Sequence, residues 1–144
     1  MNSVELTRRE IRVKALQALY PFDFHQELTK EAAIDYALTF GEEDLLDTDR
    51  ENFIPSYLET LVSGVIEHQA EIDQKIKENL KKWSISRIAK TDLIIMRIAI
   101  YEMLYEEKTP NIVALNEALE LTKIYSDDQS RKFVNGVLSN IVNQ

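Results

Sequence analysis

Residues 91–105 read TDLIIMRIAIYEMLY, and no other run constrains the fold as much. As a helix it is apolar on most sides, so it must be covered on most sides. Arg97 and Glu102 are its conspicuous charges. A chain that buries such a helix has to supply other helices around it, and this one does. Apolar residues recur at helical spacing nearly everywhere, and no stretch alternates as a strand would. The 144 residues are enough for one domain with its own core. With 3 Gly, 3 Pro and no linker-like stretch, the chain argues against two independent domains and against long disorder. The expected class is all-α, with residues 1–144 forming a single domain.

The first helix opens at Thr7-Arg8-Arg9-Glu10, which has the form of a capping box. Ile11, Ala15, Ala18 and Phe22 recur at helical spacing, while Glu10, Lys14 and Gln17 form the outward face. At about 100° per residue, Arg8 and Arg12 fall on the line of Leu19, so they extend an inward-facing stripe. Either the helix overhangs its core there, or the arginine stems run along it. Pro21 is expected to end or kink the helix near Tyr20. A second helix is expected from about Thr29 to Phe40, stopped by Gly41.

Pro55 opens a third helix, continued by Tyr57, Leu61 and Val65. Ile72, Ile76, Leu80 and Trp83 mark a fourth, and the apolar run is the fifth. KTPN breaks the chain at residues 108–111. Val113, Ala114, Ala118, Leu121 and Tyr125 trace a sixth helix. Phe133, Val134, Val137, Leu138 and Ile141 trace a seventh. Gly64 and Gly136 lie inside helical patterns, where glycine costs roughly 1 kcal/mol relative to alanine. Close approach of a neighbouring helix is the expected reason at both. Asn116 and Asn135 are read as structural, bonding to backbone or capping a neighbour.

The formal net charge is −8, which argues against wholesale nucleic-acid binding. The charge is uneven, however. GEEDLLDTDRE, residues 41–51, is strongly acidic. Residues 75–90 carry Lys75, Lys77, Lys81, Lys82, Arg87 and Lys90 against Glu78 alone. Arg8, Arg9 and Arg12 gather at the tip of the first helix, as a solvated helix end or as the contact for a polyanion. Cys is absent, which excludes disulfides, thiolate chemistry and Cys-based zinc sites. There is no phosphate-cradling glycine loop, HExxH or nucleophile elbow, and the acidic stretch lacks the spacing of an EF-hand. No catalytic residue, metal or cofactor is expected. No apolar run is long enough to cross a bilayer, and the expectation is a soluble cytoplasmic protein without a membrane partner.

The stretch KTPNIVALNEALELTKIYSDDQSRKFVNGVLSNI, residues 108–141, resembles the signature half of the NusB family of transcription antitermination factors. MRIAIYEML and RREIRVKALQALY match two more family blocks in the right order. The resemblance implies an all-helical fold of two small helical subdomains. It further implies pairing with the ribosomal protein NusE, binding of the pair to boxA RNA of nascent transcripts, especially of ribosomal RNA operons, and assembly of an antitermination complex on RNA polymerase. A homodimer is compatible with it, since family members occur as monomers and as homodimers. The same fold occurs as the amino-terminal domain of an rRNA cytosine methyltransferase, whose catalytic part this chain is too short to carry.

By the same resemblance, Arg8, Arg9 and Arg12 correspond to the family's RNA-contacting arginine-rich N-terminus, diluted here by Glu5 and Glu10. Lys132 and Phe133 match positions near the RNA. A lysine can meet a phosphate and an exposed aromatic can stack on a base, although Phe133 reads equally well as core. Gln129 stands where some relatives carry an acid. Tyr20 and Asp92 match the NusE-binding face, and Asp92, beside the apolar run, is expected to reach solvent. Two other readings remain. One is a scaffold that keeps NusE binding but binds RNA weakly, and the other is an RNA-recognition accessory to a methyltransferase acting in trans.

Overall fold

The structure, a computed structural model, describes residues 6–39, 55–81 and 84–144. The acidic stretch, Glu5, Phe40, Gly41, Lys82 and Trp83 lie outside the described residues. The chain divides into two compact units, residues 1–63 and 64–144, matching the expected pair of helical subdomains. Among the described residues the regular elements are α1 (Arg8–Phe24), α2 (Lys30–Thr39), α3 (Ser56–Glu67), α4 (Gln69–Glu78), α5 (Lys90–Tyr105), α6 (Asn111–Tyr125) and α7 (Asp128–Val142). A single 3₁₀ turn, Ile85–Arg87, precedes α5. The division between the units falls within α3.

In the first unit α1 packs against α2. Its start is the expected capping box. Thr7 Oγ1 accepts from the Glu10 amide at 3.0 Å, and Glu10 Oε1 accepts from the Thr7 amide at 2.8 Å. Two amides that the helix leaves without partners are thereby satisfied. The buried stripe is Ile11, Arg12, Ala15, Leu16, Ala18 and Leu19. Of the end or kink expected at Pro21, the end does not occur, and α1 runs on to Phe24. Proline removes its own N–H but keeps its carbonyl, and that carbonyl accepts from the His25 amide at 3.1 Å. In the last turn one missing bond is a small loss. Pro55 lies just before α3, and its carbonyl accepts the Glu59 amide at 3.2 Å.

In the second unit α5 packs against α4, α6 and α7. Every residue from Asp92 to Glu102 is buried, so the apolar run is indeed the helix that the others cover. Its charges are accommodated inside. Arg97 donates from Nε and Nη2 to the two carboxylate oxygens of Asp73 on α4, both at 2.9 Å. Glu102 is wholly buried. Just before α4, the His68 ring stacks on Tyr105 with centroids 4.1 Å apart. Glu71 accepts from the Tyr105 hydroxyl and lies 3.0 Å from His68 Nδ1. The tyrosine bond first, then the histidine, holds the Glu71 carboxyl below its usual range.

The two helical glycines part company. A Cβ on Gly64 would run into the Tyr101 ring, so close approach is the reason for that glycine. Gly136 is exposed, with none of the described residues within 4 Å of the position of a Cβ, so the expected packing role is wrong there. The buried face of α7 is Val134, Val137, Leu138 and Ile141, and Gly136 is about 200° round the helix from Val134. Asn116 and Asn135 are also exposed. Asn135 Oδ1 accepts from Ser139 Oγ at 3.1 Å on the surface of α7.

Candidate nucleic-acid interface

The tip of α1 is built from its cap outward. The capping box fixes the backbone of Arg8 and Arg9, the first two helical residues. Both are exposed. The Arg8 guanidinium carbon sits 3.6 Å from the centroid of the Tyr57 ring, in the first turn of α3. Arg12 differs: only 5% of its surface is exposed. The inward stripe was therefore read correctly, and its two arginines divide the two explanations between them. Arg8 overhangs the core, and Arg12 runs into it. Glu10, expected to dilute the cluster, is turned back onto the cap.

Further along α1, Tyr20 is 41% exposed and its ring meets that of Phe24 at a centroid distance of 5.0 Å. Phe24 is itself exposed, so the two rings form one aromatic ledge. Sequence reasoning singled out Tyr20 and passed over Phe24. The i, i+4 spacing was the available signal.

In the second unit, Asp127 caps α7 by accepting the Ser130 amide at 2.8 Å, and this bond lowers its pKa. Lys132 follows, exposed, and Phe133 is half-buried. Phe133 is thus neither core nor a free ring. It lines a cavity of about 380 Å³ together with Arg87, Ile88, Asp92, Asp127 and Ser130. Asp92 and Phe133, expected at two different interfaces, meet at one cavity.

Asp92 corrects an expectation. It does not reach solvent: 4% of it is exposed, and its Oδ1 accepts from Ser126 Oγ at 2.7 Å. Asp92 is the third residue of α5, where a carboxylate is favoured by the helix dipole, and Ser126 follows the last residue of α6. The bond ties the start of α5 to the turn that leads into α7. Ser126 and Asp127 were not picked out from sequence, though the SDD preceding α7 is an N-cap signal.

Among the described residues no group of His, Asp and Glu is arranged to hold a metal ion. No described helix is long and apolar enough to cross a membrane. The first unit thus carries surface arginines at a helix tip and an aromatic ledge, and the second carries a cavity lined by Arg87, Asp92 and Phe133.

The comparisons agree on the chain's kind. The NusB family model matches residues 9–143, and the chain belongs to that family. It is 56% identical to the transcription antitermination protein NusB of Enterococcus faecalis over 145 residues, covering 100% of this chain and 94% of the relative. The corresponding protein of Lactiplantibacillus plantarum is 48% identical, with 96% of each chain covered. Among solved structures, T. maritima NusB superposes with a TM-score of 0.79 at 28% identity, over 97% of this chain and 93% of that one. A structure of antitermination factors NusB and NusE in complex with dsRNA superposes with a TM-score of 0.75 at 25% identity, over 94% and 96%.

Proposed function

We propose that this chain is a non-catalytic transcription antitermination factor that pairs with ribosomal protein NusE and binds boxA RNA of nascent transcripts, ribosomal RNA above all. The pair then helps to assemble an antitermination complex on RNA polymerase. Family membership across residues 9–143 is the observation that carries the reading. The solved complex of NusB and NusE with dsRNA, similar over 94% of this chain, supports the choice of partners.

The proposed RNA contacts are Arg8 and Arg9 at the α1 tip, with Lys132 and Phe133 on α7. Arg12, being buried, would act by holding α1 and its neighbours in place under the tip. Tyr20, with Phe24 beside it, is the proposed NusE anchor: a large ring with a polar end is well suited to an interface centre. Asp92 would serve that interface by fixing the start of α5 through Ser126, more than by reaching out itself.

The test is RNA affinity of the complex with NusE at several salt concentrations. Phosphate contacts by arginine release counterions, so each one lost should lower the magnitude of the log–log salt slope by roughly 0.7, the single-strand value. Arg8→Ala and Arg9→Ala should each do so with helix content retained, since alanine is a good helix former. Unchanged affinity and slope in the double alanine variant would sink the RNA role of the tip. The burial of Arg12 leaves two exposed arginines where three were expected, and this favours a second reading: a NusE-binding scaffold with weak RNA affinity. Binding to NusE without binding to RNA would select it.

A further inference from the structure

We infer that Tyr57 is a positioning residue for RNA binding: its ring holds the Arg8 guanidinium at the α1 tip, ready to meet a phosphate. The inference rests on the proposed RNA contact of Arg8. Its observation is the 3.6 Å approach of the guanidinium carbon to the centroid of the Tyr57 ring. That is well inside the range of roughly 6 Å over which a cation is attracted by a ring face.

The geometry suits the task because a guanidinium has two kinds of surface. Its flat face rests on an aromatic ring, while its five N–H donors lie in its own plane and stay available. Stacking on Tyr57 therefore occupies none of the donors that a phosphate needs. Among the described residues no carboxylate pairs with Arg8. The chain is fixed at both ends of the side chain: the Thr7–Glu10 capping box sets the backbone, and the ring sets the head. An exposed arginine otherwise loses most of its rotamer freedom on binding. Here part of that loss is already incurred in folding, so binding is stronger by that amount. Tyr57 itself is half-buried in the first turn of α3, a firm base for the purpose.

The experiment is a double-mutant cycle on RNA affinity of the complex with NusE, using one boxA-bearing RNA oligonucleotide and four proteins: parent, Arg8→Ala, Tyr57→Leu and the double variant. Tyr57→Phe, which keeps the ring face, is the rescue control. Thermal melts establish that each variant is folded. Tyr57→Met, which fills a similar volume without a ring, replaces the leucine variant if that one is not. The exposed stack predicts a loss of about two- to fivefold for Tyr57→Leu. The double variant should bind no worse than Arg8→Ala, and Tyr57→Phe should bind like the parent.

If Arg8→Ala weakens binding and Tyr57→Leu does not, the RNA contact stands and the positioning role is gone. If the two losses add, Tyr57 touches RNA on its own account, which also overturns the inference. If Arg8→Ala is without effect, the RNA contact of Arg8 fails first and the inference falls with it.

Discussion

Gly64 and Gly136 look alike in the sequence, each a helix-breaking residue inside a helical pattern. Only one is needed for packing. A Cβ at position 64 meets the Tyr101 ring, and that ring is held by stacking against Tyr105 at 5.4 Å and by a 3.2 Å bond from its hydroxyl to Glu106. The ring cannot move aside without loosening those contacts. Gly64→Ala should therefore lower stability by about 1–3 kcal/mol, the usual cost of overpacking. Gly136→Ala should raise it by up to about 1 kcal/mol, because alanine is the better helix former and no described residue stands in the way. Paired thermal melts check both signs, and a Gly136→Ala variant that melts below the parent would contradict the open surface described for α7. Neither sign was legible in the sequence, because what decides it is the presence or absence of a neighbour distant along the chain. Asp92 shows the same limit. Its charge promised solvent, and its hydrogen bond to Ser126, 34 residues away in sequence, withdrew it.

Elements were read more securely than residues. The capping box of α1, the apolar α5 and the periodic α6 and α7 all rest on short-range patterns, which a sequence displays directly. Of the two outcomes expected at Pro21, an end or a kink, the end does not occur, because in a last turn the bond that proline removes is a small part of the ladder. The contact between α4 and α5 is where an element-scale prediction belongs. Arg97 is 6% exposed and grips Asp73 with two parallel bonds, a geometry that resists sliding of one helix along the other. Asp73→Ala should cost about 3 kcal/mol by removing both bonds from a buried cation. Replacing the pair together, with Arg97→Met and Asp73→Leu, should recover much of that loss, since an apolar pair of similar volume needs no partner. Denaturant melts of the three variants test this. A double variant as unstable as Asp73→Ala alone would mean that Arg97 matters for reasons other than the pair.

At the scale of the molecule, the run from Ile94 to Glu102 should be the slowest part of the second unit to exchange its amide protons. From Ile94 to Glu102 the residues are buried and their amides are hydrogen-bonded within α5, so exchange there has to await opening of the unit as a whole. Deuterium exchange followed by NMR would show it. Protection in α5 no greater than in α7, much of which is exposed, would overturn the view of α5 as the covered helix. The fold class was legible at this scale because one apolar helix demands several others. The site was legible only in part. A resemblance can mark Arg8, Arg9 and Arg12 alike, but only coordinates separate two at the surface from one inside.

Arg8 and Arg9 occupy the first turn of α1, where the helix already presents the positive end of its dipole. Two cations there oppose it, each by about 0.3–1 kcal/mol. On the proposed reading, heat tolerance and RNA recognition therefore pull in opposite directions at these two positions. A library selected for thermal survival alone would drift toward acidic residues at the helix tip. It would return a sturdier protein without the two cations proposed to meet RNA.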